Sequence, residues 1–176
     1  MIVANITKTL SEEHKHIIAV AQALQKECSA LEKGKSVDAA FFEKTIDFIR
    51  NYADKFHHAK EEEILFKELC KETTEMHCNP ITQMLYEHDM GRTFVKELEA
   101  GLQKDNKNKV IENGHRYAQL IQEHIFKEDN ILYPMADDAL SPKVHKELEE
   151  KAKAAEAKLK AVKERGLAFA KEAGNH

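Results

Sequence analysis

The chain has 176 residues, 31 acidic and 27 basic, for a formal net charge of −4. That balance argues against a nucleic-acid partner, because a phosphate-binding domain usually carries net positive charge or a basic stripe. No apolar run approaches the ~20 residues of a membrane span, and the N-terminus lacks the regions of a signal peptide, so a soluble cytoplasmic protein without membrane contact is expected.

Six Gly and three Pro leave few turn signals, and these divide the chain into long helical segments. The first runs from about Thr9 to Leu31 and stops at "EKGKS"; the second runs from near Ser36 to about Cys70. A third starts at "NPIT", with Asn79 as N-cap and Pro80 at the first helical position, and ends near "GLQKDNKNK". The fourth runs from about Lys109 to the neighbourhood of Pro134. "SPKV" opens a fifth, capped by Ser141, that continues almost to the end. The expected architecture is all-α: an up-down-up-down four-helix bundle over residues 1–140, with an additional C-terminal helix over 141–176.

Apolar residues recur at the three-and-four spacing of a helix that buries one face. The first stripe is Leu10, His14, Ile17, Ala21, Leu24, Cys28 and Leu31. The third is Ile81, Met84, His88, Gly91, Val95, Leu98 and Leu102; the fourth is Val110, Gly114, Tyr117, Ile121, His124, Glu128, Ile131 and Met135. Each carries a histidine. A lone histidine on an apolar stripe is usually a hydrogen-bonded core residue, but three independent stripes doing the same favour a shared site.

The second segment contains "FHHAKEEEILF", where two histidines and three glutamates compete for any such role. The stripe Phe42, Ile46, Ile49, Ala53 leads to His57, Glu61 and Ile64, whereas the line behind His58 is Asp54, Asn51 and Asp47. His57 therefore faces inward and His58 is expected on the flank. The fourth segment repeats the unit: "HHAKEEEILF" and "HIFKEDNILY" align without a gap, His57 on His124 and Glu61 on Glu128. The i,i+4 spacing places both side chains of each pair on one face.

The heights agree too. His14 lies 21 residues before the first turn, near Lys35, and His57 lies 22 after it; His88 lies 17 before the second hairpin turn, near Asp105, and His124 lies 19 after it. Four histidines and two glutamates thus converge at one end of the bundle core. One ion rarely takes six side chains, and four imidazoles with two carboxylates suit first-row metals such as iron, manganese or zinc. Two ions would divide the histidines in pairs and share the glutamates as bridges. With a solvent-derived bridge, oxo or hydroxo, each ion would hold about five donors and keep a position open for a small ligand.

The series His14, His57/Glu61, His88, His124/Glu128, set in "EEHKHI", "FHHAKEEEILF", "EHDMGR" and "HIFKEDNILYP", closely resembles the hemerythrin-like (HHE cation-binding) family over roughly residues 8–136. The resemblance implies a four-helix bundle with a non-haem di-iron centre bridged by both glutamates, and a dioxygen, nitric oxide or peroxide ligand. Oxygen carriers of the family have a further histidine one turn before the third-helix ligand. Here that position is Met84, a poor donor for iron, so the set looks more like members tied to nitric oxide and peroxide stress and to repair of iron centres. The competing expectation is a metal-binding module for iron storage, donation or repair without turnover; a purely structural bundle is the third.

Tyr117 is read as core packing with its hydroxyl satisfied, and Gly91 as a point of close helix packing. His16, His58, His77, His115 and His145 lie off the stripes and are read as surface residues. Cys28, Cys70 and Cys78 are read as reduced structural thiols, and Cys70, His77 and Cys78 do not have zinc spacing. The tail has a seam of its own, Leu148, Ala152, Ala155, Leu159, Val162, Gly166 and Phe169. It is expected to cover the bundle of a monomer or, as the second choice, to form a homodimer interface.

Overall fold

The computed structural model describes residues 5–71, 74 and 79–175. Six helices account for nearly all of them, and no strand occurs among the described residues. Helix α1 is Ile6–Glu32, α2 is 39–69, α3 is Asn79–Gln103, α4 is 107–139, α5 is Pro142–Lys158 and α6 is Lys160–Gly174. Helices α1 to α4 form the expected bundle, joined between α1 and α2 and between α3 and α4 by short turns. Their starts are set locally, because a short side-chain acceptor satisfies a backbone N–H that has no partner within the helix. Thr7 N–H donates to Asn5 Oδ1 at 3.0 Å, Phe41 N–H to Asp38 Oδ1 at 3.1 Å and Lys109 N–H to Asn106 Oδ1 at 3.0 Å. The α1–α2 turn passes through Gly34 at φ 103, where the missing Cβ removes the usual penalty. The expected cap at Asn79 falls on a side chain outside the described residues, as do His77 and Cys78.

The helical ladder widens to i→i+5 bonding at Ile49–His58, Glu61–Leu65 and Glu128–Leu132. Wide turns of this kind are rare and often mark functional segments. The two aligned repeats share one of them: Phe66 N–H bonds the Glu61 carbonyl, and Tyr133 N–H bonds the Glu128 carbonyl. Because a wide turn takes up an extra residue, it rotates everything after it. Ile131 and Met135, expected inside, are 52% and 40% exposed, while Leu132 and Ala136 are buried in their place. In α2 the same shift buries Leu65 and leaves Ile64 half-buried.

Two apolar clusters result. The larger contains Leu24, Phe42, Tyr52, Leu98, Val110 and Ile121; the smaller contains Ile6, Leu10, Leu65, Met84, Leu132 and Leu148. The layer of histidines and glutamates lies between them, so the smaller cluster closes the end of the bundle where the ligands were expected.

The tail is two helices rather than one, broken at Leu159, whose φ of −115 and ψ of 21 leave the helical region. Nothing local demands this break in a run of good helix formers; it lets α5 seat Leu148 and Ala152 in the smaller cluster while α6 seats Phe169 in the larger. Phe169 meets Phe48 with ring centres 5.9 Å apart, and Lys44 pairs with Glu172 at 2.9 Å. Gly166 is the point of closest approach, since a Cβ there would lie 2.3 Å from Tyr52 Cδ2. In Gly166→Ala, overpacking of about 1–3 kcal/mol outweighs the ~1 kcal/mol that alanine gains over glycine in a helix. Urea unfolding of the metal-free protein is expected to show a lower midpoint for this variant; an unchanged or higher midpoint would contradict the contact.

Candidate metal centre

His14 comes from α1, His57 and Glu61 from α2, His88 from α3, and His124 and Glu128 from α4. All six are at most 2% exposed. The structure brings them together in two halves. In one, the His14 and His57 rings are 4.7 Å apart at 61°; in the other, the His88 and His124 rings are 4.7 Å apart at 62°. The sequence repeat therefore appears in space as an approximate two-fold relation between the halves.

Each glutamate turns one oxygen towards each half. Glu61 Oε1 lies 3.6 Å from His57 Nε2, and its Oε2 lies 3.5 Å from His88 Nε2. Glu128 Oε2 lies 3.2 Å from His14 Nε2, and its Oε1 lies 3.1 Å from His124 Nε2. His57 Nε2, Glu61 Oε2 and both Glu128 oxygens are buried without a hydrogen-bond partner. Unpartnered acceptors facing one another in a core are strongly unfavourable unless a cation lies between them. The donor set therefore fits a pair of metal ions. Two groups of side chains are close enough to hold one each: His14, His57, Glu61 and Glu128, and His58, Glu61, His88 and His124.

The second group contains a residue expected on the surface. His58 is only 6% exposed and stacks on His88 with ring centres 3.9 Å apart. The cause is the wide winding of residues 49–58, which carries the position after His57 inward as well. His145, also expected outside, is buried on α5, 3.6 Å from Asp137 at the end of α4.

A ring of carboxylates that sequence reasoning missed holds the four imidazoles. Nδ1–H of His57 donates to Glu13 at 2.8 Å, that of His88 to Glu62 at 2.7 Å, that of His124 to Glu87 at 2.8 Å and that of His14 to Asp129 at 2.9 Å. Each helix thus steadies the histidine of the next, α1 to α2 to α3 to α4 and back to α1. A carboxylate can only accept, so Nδ1 carries the proton and Nε2 turns its lone pair to the centre. A donor one turn from each histidine fixes the carboxylate in turn. Lys60 donates to Glu13 and Lys127 to Glu87, Arg92 reaches Glu62 at 2.6 Å, and Ser11 reaches Asp129 at 2.6 Å. The available signal was adjacency: Glu13, Glu62, Glu87 and Asp129 each sit beside one of the six residues, and Glu62 aligns with Asp129 in the repeat.

The charges record a site built around positive charge. Against the effect of burial, Asp129 and Glu128 raise His14 to about 9, and Glu128 and Glu87 raise His124 to about 10. Burial holds His57 and His58 well below the usual histidine range. Burial and the facing Glu128 push Glu61 up, whereas His124 and His14 hold Glu128 down in spite of its burial.

The halves differ at their edges. The Tyr133 hydroxyl donates to Glu61 and its ring stacks on His14, while the aligned residue in the other half is Phe66, stacked on His88. Glu13 is pushed up to about 7 by burial that outweighs Lys60, with Glu156 nearby; burial raises Glu87 too, but His124, Lys127 and Gln83 together outweigh it and hold the carboxyl at about 2. Lys60 also reaches Glu156 of α5 at 2.7 Å, tying the tail to the carboxylate behind His57.

The model of the hemerythrin HHE cation-binding domain matches residues 5–136. The chain belongs to the hemerythrin HHE family. A comparison with curated proteins finds no match. The domain is a metal-binding one, and α5 and α6 lie beyond the matched region. In this hemerythrin-family chain no described helix is long and apolar enough to cross a membrane.

Partners that orient metal-bound histidines typically contribute about 10- to 100-fold to affinity. Glu13→Ala and Glu87→Ala are each expected to weaken ferrous-ion binding by that factor in a competition titration against a chelator. Unchanged affinity in both would mean that the carboxylate ring is only structural.

Proposed function

We propose that this protein is a non-haem di-iron hemerythrin that binds dioxygen, nitric oxide or peroxide in sensing or detoxifying oxidative and nitrosative stress. His14 and His57 would hold one ion and His88 and His124 the other, with Glu61 and Glu128 available to both. What carries it is the set of four buried, unpartnered acceptor atoms, His57 Nε2, Glu61 Oε2 and the two Glu128 oxygens, turned toward one another. Bound there, a pair of irons would supply open coordination for a small ligand and the capacity for electron transfer.

The chain's own residues do the rest. The carboxylate ring keeps four Nε2 lone pairs aimed inward, the two apolar clusters exclude bulk water, and Tyr133 holds a proton against Glu61 Oε1. Met84 lies in the smaller cluster among apolar side chains, in keeping with a packing role. His58 is a further imidazole within reach. A nitrogen lone pair lies in the ring plane, so a ring stacked at 13° on His88 must turn before both can face one ion. Storage or donation of iron, the alternative, requires an ion to leave, and the near-complete burial of all six residues opposes easy exchange.

After anaerobic reconstitution, metal analysis is expected to find iron in preference to manganese or zinc, at about two per chain for a two-metal site; less than about one would overturn the reading. His57→Ala is expected to lose most of that iron and His58→Ala to retain it. The reverse outcome would move the site onto His58. Turnover of peroxide or nitric oxide no faster than by free iron would favour the binding-module alternative.

A further inference from the structure

A cavity of about 140 Å³ abuts the centre from one side, its walls including His58, His88 and His124 next to the centre and Gly91, Tyr117 and Ile121 farther out. Larger cavities among the described residues, of about 650, 540 and 450 Å³, touch none of the six proposed ligands. The position of the small one follows from a break in the internal symmetry. Gly91 stands three residues after His88, and the matching position after His14 is Ile17, which is 2% exposed and fills its side of the core. A Cβ at Gly91 would meet Tyr117 Cε2 at 3.5 Å, an ordinary contact, so an alanine fits there but a larger side chain would occupy the cavity.

Two lining residues have buried polar atoms without partners, Tyr117 Oη and His58 Nδ1. The Tyr117 hydroxyl was expected to be satisfied, and it is not. The nearest carboxylate oxygen to His58 Nδ1, on Asp54, is 3.6 Å away and is already held by Arg92 at 2.7 Å. Buried polar groups in proteins are almost always paired, and exceptions in a cavity point to an occupant that is itself polar. The volume suits it: a water molecule takes roughly 30 Å³ of liquid, so there is space for a ligand of two or three heavy atoms and none for a large organic one. On the opposite side, the Tyr133 ring stacks on His14 with centres 5.5 Å apart, and Ile17 is buried one turn along α1.

We infer that the small exogenous ligand binds at the His88–His124 end of the centre, entering through this cavity, and that the Tyr117 hydroxyl donates a hydrogen bond to it. The inference rests on the di-iron reading and gives that site a direction: of two halves alike in their ligands, one is open. Tyr117 acts on the ligand and not on the metal.

The probe is azide, a stable triatomic anion, titrated optically into iron-reconstituted full-length protein. Gly91→Leu is expected to weaken azide binding at least about tenfold and Tyr117→Phe about tenfold, the range for losing a hydrogen bond to a charged group. Gly91→Ala should bind as wild type does, and iron content should be unchanged in all three. If Gly91→Leu fails to fold by circular dichroism, Tyr117→Phe and a bulkier residue at Ile121 (Ile121→Phe) carry the test. Azide affinity unchanged in the folded variants, with iron content intact, would overturn the inference while leaving the di-iron reading standing. Absence of iron in the wild type would instead remove that reading.

Discussion

Two glutamates fully enclosed in an apolar bundle are the constraint on which the rest of this structure depends. A buried carboxylate without a counter-charge is expensive enough that it normally takes a proton or a partner. Here the two share a core with four imidazoles and leave acceptor atoms unsatisfied. Much of the architecture holds that arrangement still. Apolar clusters press on the layer from both ends, and each imidazole is braced from behind by a carboxylate on the neighbouring helix. Each of those carboxylates is braced in turn by Lys60, Arg92, Lys127 or Ser11. The outer charges are thereby paired at the periphery, and the unpaired ones are concentrated at the centre.

The approximate two-fold relation explains why so few sequence devices suffice. The same unit, a histidine, then a lysine three residues on, then the glutamate, occurs in α2 and α4, and the same Glu-His pair opens the site in α1 and α3. The points where the halves part company carry the chemical interest. Tyr133 replaces Phe66 and reaches Glu61, Gly91 replaces Ile17 and leaves space, and His58 replaces Ile125 and adds an imidazole. A symmetric pair of sites would offer a small molecule two equal approaches; these three differences make the approaches unequal. The tail adds a fourth: Glu156 joins the charge cluster behind His57, and among the described residues no tail carboxylate pairs with Lys127 behind His124.

Much of this was legible in the chain. Stripes spaced at three and four located the core faces, and Leu10, Ile17, Leu24, Val95, Leu98 and Ile121 are buried as their periodicity required. Counting residues from the turns brought His14, His57, His88 and His124 to one level, and the structure has them there. The period failed where the helix changed its winding. Ile131 and Met135 were placed inside and are exposed, and His58 was placed outside and is buried. A strict 3.6-residue rule cannot follow a ladder bonded i→i+5. The braces behind the histidines were invisible for another reason: Glu13, Glu62, Glu87 and Asp129 read as ordinary charged residues until the helix that each one faces is known.

What the sequence determined by itself is therefore the local part: five helical segments, the last without its break at Leu159, the cap at Ser141, and the inward placement of four histidines and two glutamates. These follow from spacing along one helix, which the chain encodes directly. The tertiary structure alone decided which carboxylate braces which histidine, which half Gly91 leaves open, and that His58 belongs inside. Each of these depends on contacts between helices whose relative rotation is set by packing and by three wide turns, and no period along a single helix records that rotation.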